Sequence, residues 1–304
     1  MNAWHTPVLL EEVLEWLRIR PEGTYVDATL GTGGHAIEIA RRLKTGRLIG
    51  LDRDAQALDI ARERLKEYER QVILVHAKFS RIVEVTRGMK IPGADGILAD
   101  LGVSSLQLDS AERGFSFRAA GPLDMRMDSD ESETAEEIVN SWPEQQLADL
   151  LYRYGEERNS RRIARAIVRA RPIRDTERLA TVVAGAQQAR GRQRLHPATK
   201  TFLALRIAVN REMEELEQFL DRAPATLAWG GRWLVLSYHS LEDRLVKRAF
   251  RRLAQQGVVK VLTKKVVRPT AQEMLRNPRA RSAKLRVAEK VVAASAETTQ
   301  GARA

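Results

Sequence analysis

Short apolar runs alternate with helical stretches between Thr24 and Ala99. TYVDATL, RLIGLD, QVILVHA and DGILAD have the pattern of four strands, while Gly34 to Leu43 and Ala55 to Tyr68 have helical spacing. Such alternation is typical of βαβ units and predicts a parallel sheet with helices on its faces. Before it, apolar residues recur at helical spacing from His5 to Leu17 and predict an N-terminal helix that packs on the sheet.

The alternation stops after Asp100. Only helical patterns follow between Thr134 and Leu220, and the last of them predicts one long helix over TKTFLALRIAVNREMEELEQFL. GGRWLVLSYHS then predicts a fifth strand, LEDRLVKRAFRRLA a helix, and residues 282–292 a final strand. The simplest arrangement is an all-helical insertion between the fourth and fifth strands of one α/β domain. We therefore predict a discontinuous domain over residues 1–104 and 198–293, a helical insertion over 105–197 and a flexible tail over 294–304.

The composition is that of an ordinary globular protein, and it excludes several classes of function. Hydrophobic residues make up 43% and charged residues 30% of the 304 positions, and no apolar run is long enough to span a bilayer. The N-terminal sequence MNAWHTPVLLEEV is unlike a signal peptide, so we expect a cytoplasmic protein. The chain has no cysteine and five scattered histidines, which excludes thiolate chemistry and predicts that there is no metal site.

Positive charge is concentrated in the second half of the chain. The whole chain has a net charge of +11, but residues 1–150 carry −8, whereas residues 151–200 and 241–290 carry +9 and +11. Both basic segments are rich in arginine, which suits bidentate contacts to phosphate, so the pattern favours a nucleic-acid partner. For either segment taken alone, a solvated helix face is the alternative.

A glycine-rich segment, VDATLGTGGHA, lies where the first predicted strand meets the first helix of the sheet. Gly31, Gly33 and Gly34 would let a ligand approach the backbone there, and the helix N-terminus presents free N–H groups. The spacing differs from the G-x-G-x-x-G of dinucleotide folds, and Asp27 would repel a pyrophosphate. An acid at this place instead suits a cofactor with a sulfonium or ammonium group, such as S-adenosylmethionine. A tight turn without a ligand is the alternative.

Two further acids end strands of the predicted sheet. Asp52 ends the second strand, nineteen residues after Gly33, where a carboxylate commonly accepts hydrogen bonds from ribose hydroxyls. Asp100 ends the fourth strand and is followed by the small and hydrogen-bonding residues of LGVSSLQLD. Because the carboxyl ends of strands in an open α/β sheet face the ligand crevice, we predict that Asp100 points at the transferred group or its acceptor. A helix or turn cap is the alternative for Asp100.

Several long blocks of the sequence resemble one known family. HTPVLLEEVL, VDATLGTGGHA, DGILADLGVSSLQLDSAERGFSF, GPLDMRMD, HPATKTFLALRIAVN and SYHSLEDRLVK are similar to segments of the bacterial 16S ribosomal RNA cytosine-N4 methyltransferases, the RsmH or MraW family. The similarity runs in order from His5 to about Glu289. It implies a class I, Rossmann-like sheet that binds S-adenosylmethionine, an inserted all-helical substrate-recognition domain, and a cytidine of the ribosomal decoding centre as the acceptor.

The resemblance also implies site residues. Together with the acid and the glycine found from the pattern itself, the predicted cofactor contacts are Asp27, Gly31, Gly33, Gly34, His35, Asp52, Phe79, Asp100 and Gln107. Asp100 is also the predicted catalytic residue, because the N4 lone pair of cytosine is delocalised into the ring and becomes available when an acceptor binds the amine protons. The aromatic that stacks on the target base is left open among Phe115, Phe117 and Tyr238.

RNA contacts are predicted at Ser104, Arg161, Arg162, Arg165, Lys200, Arg206 and His239. We expect Thr199, Lys200, Arg206 and Asn210 to share one polar face of the long helix, directed towards RNA. His239 follows the fifth strand, and a helix cap made by Ser240 is the alternative for this segment. For GPLDMRMD, a loop tied by internal ion pairs and a substrate contact are both open.

The predicted partner is the small ribosomal subunit or its 16S RNA, with no membrane and no metal, and a homodimer is left open. One competing hypothesis is a non-catalytic RNA-binding assembly factor, which would not need the complete set of acids and glycines that this chain has. A DNA amino methyltransferase is the other. RNA and DNA phosphates attract the same basic side chains, so only the family resemblance favours RNA.

Overall fold

The computed structural model describes residues 7–187 and 196–291 of the chain. The strands are β1 (Thr24–Asp27), β2 (Arg47–Asp52), β3 (Val72–His76), β4 (Ala94–Asp100), β5 (Leu227–Ser237), β6 (Val259–Val261) and β7 (Lys284–Lys290). The α-helices are α1 (Leu10–Leu17), α2 (Gly34–Ala40), α3 (Ala55–Arg64), α4 (Ile82–Gly88), α5 (Ser105–Asp109), α6 (Ala135–Ser141), α7 (Glu144–Gly155), α8 (Ser160–Ala170), α9 (Thr176–Ala186), α10 (Thr199–Val209), α11 (Glu212–Arg222), α12 (Ser240–Gln255) and α13 (Ala271–Arg276). His5 and the predicted tail 294–304 lie outside the described residues.

Within these ranges, seven strands form one sheet in the order β3-β2-β1-β4-β5-β7-β6. Neighbouring strands from β3 to β5 are parallel, and β7 runs antiparallel between β5 and β6. The strand order reverses between β1 and β4, so their carboxyl ends border a crevice. The predicted class I, Rossmann-like sheet is therefore confirmed.

Apolar cores lie on both faces of the sheet. α1 and α2 cover one face, where Val13 and Ile39 are buried. α4, α11 and α12 cover the other face, where Phe219 and Phe250 pack against the fully buried Trp233 of β5. Because both faces are covered, β5 is buried at every residue from Gly231 to Ser237 rather than at alternate residues.

Four short elements, α4, α5, α13 and β6, were not predicted. They have seven, five, six and three residues, which is too short for a hydrophobic period to stand out in the sequence. None of the helices in the described ranges is long and apolar enough to cross a bilayer.

A third core lies within the helices that follow β4. Ile138 of α6, Leu151 of α7, Ile163 of α8 and Val183 of α9 are all buried in it. Leu205 of α10 belongs to the same core, so this helix packs with the insertion. The residue ranges of the two domains stay predictions.

The single long helix predicted from Thr199 to Leu220 is wrong. The chain is divided into α10 and α11 at Asn210 and Arg211, and Arg211 has a left-handed φ of 47°. The Asn210 amide accepts from the Met127 N–H and donates to the carbonyl of Met125, both at 2.7 Å. Asn210 is buried, so it is not part of an exposed face towards RNA as expected. Its two buried hydrogen bonds stabilise the break in the helix.

Candidate active site

A cavity of about 380 Å³ lies at the carboxyl ends of the parallel strands. It is lined by Asp52 at the end of β2, Phe79 after β3, Asp100 at the end of β4 and Tyr238 after β5. Arg206 of α10 completes the wall on the side of the insertion. The cavity thus occupies the place where the strand order reverses, which is where open α/β sheets bind their ligands.

The glycine loop forms one border of this cavity. Gly31 and Gly33 have left-handed φ values of 53° and 82°, which glycine adopts without strain, and Gly33 directly precedes α2. A Cβ at Gly31 would meet no atom within 4 Å, so this part of the loop borders open space. A Cβ at Gly34 would come within 2.9 Å of Pro7 Cγ. Gly31 therefore leaves room for a ligand, while Gly34 also serves packing.

Asp52 is held by two backbone amides. Its Oδ2 accepts from the Gly31 N–H at 2.6 Å and its Oδ1 from the Asp54 N–H at 2.8 Å. Burial raises the pKa of Asp52 to about 6, although these two hydrogen bonds oppose the change. Each carboxylate oxygen keeps a further lone pair, which the hydroxyls of a ribose could use.

Phe79 and Gln107 form two more walls of the cavity. The Phe79 ring packs edge-on against Phe219, with the centroids 5.3 Å apart. Gln107 Oε1 accepts from the Ser104 N–H at 3.0 Å, and the Ser104 hydroxyl accepts from the Gln107 N–H at 3.2 Å, so the pair caps α5. Gln107 and Ser104 thereby shape the loop after β4. The contacts of Phe79 and Gln107 with the cofactor, and of Ser104 with RNA, stay predictions.

Asp54 is a buried carboxylate that the sequence reasoning missed. Its Oδ2 accepts from Gln107 Nε2 at 2.8 Å and lies 2.9 Å from the Arg113 guanidinium, while Oδ1 caps α3 through the Gln56 N–H. Asp54 therefore joins the sheet to the loop after β4. An acid directly before a helix is a typical N-cap, and that signal could have found this residue.

Asp100 lies between Tyr238 and His35. The Tyr238 hydroxyl donates to Asp100 Oδ1 at 2.7 Å, and His35 Nδ1 is 3.7 Å from Oδ2. His35 is buried, and its Nε2 is 3.0 Å from the carbonyl oxygen of Val8. The Asp100 N–H donates to the Thr29 hydroxyl at 2.6 Å. Both carboxylate oxygens of Asp100 thus have a polar neighbour at the wall of the cavity.

Two neighbouring acids, Asp52 and Asp100, oppose the ionisation of the buried Asp27. Burial, together with the charges of Asp100 and Asp52, raises the pKa of Asp27 to about 7. Burial also raises the pKa of Asp100, although His35 and Tyr238 oppose the rise. Asp27 is 1% exposed and is not among the lining residues, so it influences the cavity through its charge. A cation in the cavity would offset this repulsion, which fits the sulfonium and ammonium groups of S-adenosylmethionine.

An ion pair between α10 and α11 forms part of the cavity wall. Arg206 donates to Glu212 through two N–H groups, at 2.7 and 2.8 Å. Glu242, at the start of α12, accepts from the backbone N–H groups of Tyr238 and His239. Although burial opposes its ionisation, His239 and Arg206 hold the pKa of Glu242 below its usual value. Arg206 was expected on an exposed polar face, but it lines the cavity instead.

His239 is the N-cap of α12. Its Nδ1 accepts from the Glu242 N–H at 3.4 Å, and Glu242 completes a capping box. The alternative cap considered at Ser240 is therefore wrong, because the Ser240 hydroxyl donates to Glu156 and Asp243 pairs with basic residues of β7.

Glu212, His239 and Glu242 bring one potential metal-ligand atom each within 4.8 Å of one another. Arg206 binds both carboxylate oxygens of Glu212. The backbone N–H groups of Tyr238 and His239 bind Glu242, and the Glu242 N–H binds His239 Nδ1. We therefore assign this cluster to ion pairing and helix capping rather than to a metal.

The GPLDMRMD segment is tied by an internal ion pair. Arg126 binds Asp124 at 2.8 Å and donates to the carbonyls of Ser129 and Glu131. This confirms the first of the two interpretations of the segment. Met127 from the same loop lines the cavity, so the loop also forms part of the cavity wall.

Four of the basic residues predicted to contact RNA are exposed. Arg161, Arg162 and Arg165 are exposed on α8. Lys200 is exposed at the start of α10, and its Nζ donates to the carbonyl of Glu156 at 2.9 Å. Their contact with RNA stays a prediction.

Of the three aromatics considered for base stacking, only Tyr238 lines the cavity. Phe117 packs against His196 and Phe202, with ring centroids 4.6 and 4.9 Å apart. Phe115 is buried in the core of the insertion. Phe115 and Phe117 therefore serve packing.

A Rossmann-like sheet with a glycine loop after β1, an acid at the end of β2 and a second acid at the end of β4 defines an S-adenosylmethionine-dependent methyltransferase. Residues 2–291 match the model of the MraW methylase family, and the chain belongs to this family. The predicted family, the methyltransferase class and the S-adenosylmethionine cofactor are thereby confirmed.

Three relatives are similar over nearly their whole length, and each is named ribosomal RNA small subunit methyltransferase H. The protein of Acidobacterium capsulatum is 52% identical over 295 residues, which cover 94% of this chain and 98% of that protein. The protein of Koribacter versatilis is 52% identical over 294 residues, 93% of each chain. The protein of Solibacter usitatus is 50% identical over 285 residues, 94% of this chain and 99% of that protein.

Proposed function

We propose that this protein transfers a methyl group from S-adenosylmethionine to the exocyclic N4 of a cytidine in the decoding centre of 16S ribosomal RNA. The observation that carries the proposal is the position of Asp100, whose carboxylate lines the cavity at the end of β4 beside Tyr238 and His35. The names of relatives about half identical to this chain support small-subunit ribosomal RNA as the substrate. A cytoplasmic location follows from such a substrate.

The cofactor would lie along the sheet end of the cavity. Asp52 would accept hydrogen bonds from the ribose hydroxyls, and the Phe79 ring would pack against the adenine. The open space beside Gly31 would take the methionine part, and the charges of Asp27 and Asp100 favour its positive groups. When bound, S-adenosylmethionine supplies an electrophilic methyl group.

Asp100 would act on the acceptor amine. By accepting a hydrogen bond from N4, its carboxylate draws the lone pair out of conjugation with the cytosine ring and then takes the amine proton. Proton removal of this kind contributes about 100- to 10,000-fold in rate. Holding the amine in line with the methyl group contributes on the order of 7 to 11 kcal/mol, which is the larger effect. Asp100 and the neighbouring cavity walls would therefore act mainly by positioning the amine relative to the methyl group.

The insertion over residues 105–197 and the segments that border it would recognise the RNA. Ser104 and Arg206 line the cavity and would face the target nucleotide, while His239, the N-cap of α12, would contact the RNA beside the cavity. The exposed side chains on α8 and α10 would contact phosphates: Arg161, Arg162, Arg165 and Lys200.

Methyl transfer from labelled cofactor to purified small subunits, free 16S RNA and DNA, followed by nucleoside analysis, tests this function. We expect N4-methylated cytidine from the subunit or its RNA, and its loss with Asp100→Asn. Label found in DNA alone would identify a DNA amino methyltransferase. RNA binding without transfer to any of the three substrates would instead identify an assembly factor.

A further inference from the structure

The hydroxyl of Tyr238 is directed at the proposed catalytic acid rather than at open space. It donates to Asp100 Oδ1 at 2.7 Å, while the ring of Tyr238 lines the cavity. Burial and the neighbouring Asp100 carboxylate raise the pKa of Tyr238 well above its usual value. The hydroxyl therefore keeps its proton near neutral pH and is the donor in this hydrogen bond.

The second oxygen of Asp100 has a different neighbour. His35 Nδ1 is 3.7 Å from Oδ2, and His35 Nε2 is 3.0 Å from the Val8 carbonyl. A carbonyl oxygen only accepts hydrogen bonds, so Nε2 donates its ring proton to Val8. Nδ1 is then the ring nitrogen that faces the carboxylate, and a proton between Oδ2 and Nδ1 has an acceptor on each side.

We propose that Tyr238 is a positioning residue for Asp100: its hydroxyl binds Oδ1 and leaves Oδ2, beside His35, as the oxygen that takes the proton of the acceptor amine. The proposal rests on the proposed function and assigns a role to the hydroxyl rather than to the ring. In the reaction, the bond from N4 to the methyl carbon forms while the carbon–sulfur bond breaks, and the electrons of that bond stay on sulfur. The proton released by N4 goes to Oδ2 of Asp100, where His35 Nδ1 can share it.

The direction of the pH effect follows from the groups that face Asp100. Burial raises the pKa of Asp100, His35 and Tyr238 oppose the rise, and Glu242 from α12 adds to it. Asp27 from β1 faces it as a further negative charge. Removing the Tyr238 hydroxyl leaves the other three groups in place and raises the pKa of Asp100. Because Asp100 must be ionised to accept a proton, activity is then lost at a higher pH than in the parent.

The variant Tyr238→Phe keeps the ring and removes only the hydroxyl. With small subunits and cofactor both saturating, we expect kcat at pH 7 to fall about 10- to 100-fold, the effect of losing a hydrogen bond to a charged group. KM for the subunit should stay within about threefold, because the ring remains. The acid limb of the kcat profile should move up by about one pH unit, so that higher pH restores part of the activity. An unchanged kcat would mean that Tyr238 acts through its ring. An equal loss at every pH would mean a merely structural role, and either result overturns the proposal.

Tyr154→Phe is the matched control. The Tyr154 hydroxyl also donates to a carboxylate, Glu214 at 3.2 Å, but neither residue lines the cavity. We expect its kcat and pH profile to match those of the parent.

A second measurement needs no turnover. Infrared difference spectra follow the protonated carboxyl band of Asp100, which is identified by its loss in Asp100→Asn. We expect the titration midpoint of this band to be higher in Tyr238→Phe than in the parent. Coincident midpoints would overturn the positioning role. Because no RNA is present, this result stands even if the nucleotide assigned above is wrong.

Discussion

Replacing Asp52 by asparagine tests the cofactor end of the cavity with little change in side-chain size. The carboxylate binds the N–H groups of Gly31 and Asp54, so an alanine at this position would leave two backbone donors without a partner. Asparagine keeps one acceptor oxygen and removes the negative charge. A hydrogen bond from a ribose hydroxyl to a charged acceptor contributes about 1.5 to 3 kcal/mol, so we expect Kd for the cofactor to rise about 10- to 150-fold.

The pH dependence of binding sharpens this prediction. Because burial raises the pKa of Asp52 to about 6, protonation removes its charge as the pH falls through this value. The affinity of the parent protein should therefore fall between pH 8 and pH 5. Asp27, with a pKa of about 7, also titrates in this range, so parent and Asp52→Asn are compared at each pH. The difference between the two proteins should be large at pH 8 and small at pH 5.

Calorimetric titration with S-adenosylmethionine and with S-adenosylhomocysteine measures both effects. Asp59→Asn is the matched control, because Asp59 is an exposed carboxylate on α3 that pairs with Arg62. Its Kd should equal that of the parent. If Asp52→Asn also binds with the parental Kd at pH 8, then Asp52 is not a cofactor ligand, and the cofactor does not lie along the end of β2.

Three more predictions address the remaining parts of the protein. At saturating cofactor and RNA, Asp100→Asn should lower the single-turnover rate about 100-fold or more, since the charge that takes the amine proton is lost. If saturating cofactor and RNA instead restore the parental rate, Asp100 is a binding residue only. Reversing the charges of Arg161, Arg162 and Arg165 to glutamate should weaken RNA binding and reduce its salt slope by about 0.7 to 0.9 for each phosphate that these side chains neutralise in the parent. Filter binding over a salt series measures this, and a parental slope would show that the α8 face is merely solvated. Between the ordinary pKa of aspartate, 3.8, and about 7, the folded protein holds a proton on Asp27 that the unfolded chain has lost, so stability falls as the pH rises through this window. Asp27→Asn should remove the contribution of Asp27 to that fall, while Asp52 and Asp100, whose pKa values burial also raises, keep theirs. Melting curves of the cofactor-free protein should show a Tm above that of the parent at pH 8 and close to it at pH 4.

The sheet and its acids could be predicted because both depend on local order along the chain. Asp52 and Asp100 each end an apolar run, and parallel strands bring their carboxyl ends to one edge. Tyr238 and Asp100 lie close together because β5 pairs with β4. Whether that tyrosine stacks on a base or binds the acid depends on the orientation of its side chain, which no sequence pattern encodes.

The insertion side of the site could not be predicted from the sequence. Arg206 and Glu212 are six positions apart, a spacing that does not bring two side chains together on one helix. They meet because the helix breaks at Asn210, and the partners of Asn210 lie 83 and 85 residues earlier in the chain. The prediction of helix is therefore correct on each side of the break. The break itself depends on hydrogen bonds to residues that are distant in the sequence.

The short connection between α10 and α11 also has a consequence for how the protein melts. α10 is buried in the core of the insertion and α11 in a core of the sheet, and Asn210 and Arg211 alone separate the two helices. Asn210 further binds the backbone of the loop that carries Met125 and Met127. Partial unfolding of either core would disrupt this junction and separate the buried amide of Asn210 from its hydrogen-bond partners, which is unfavourable in free energy. The insertion and the sheet should therefore denature as one cooperative unit, and a ligand held by the sheet would protect the helices of the insertion against heat as well.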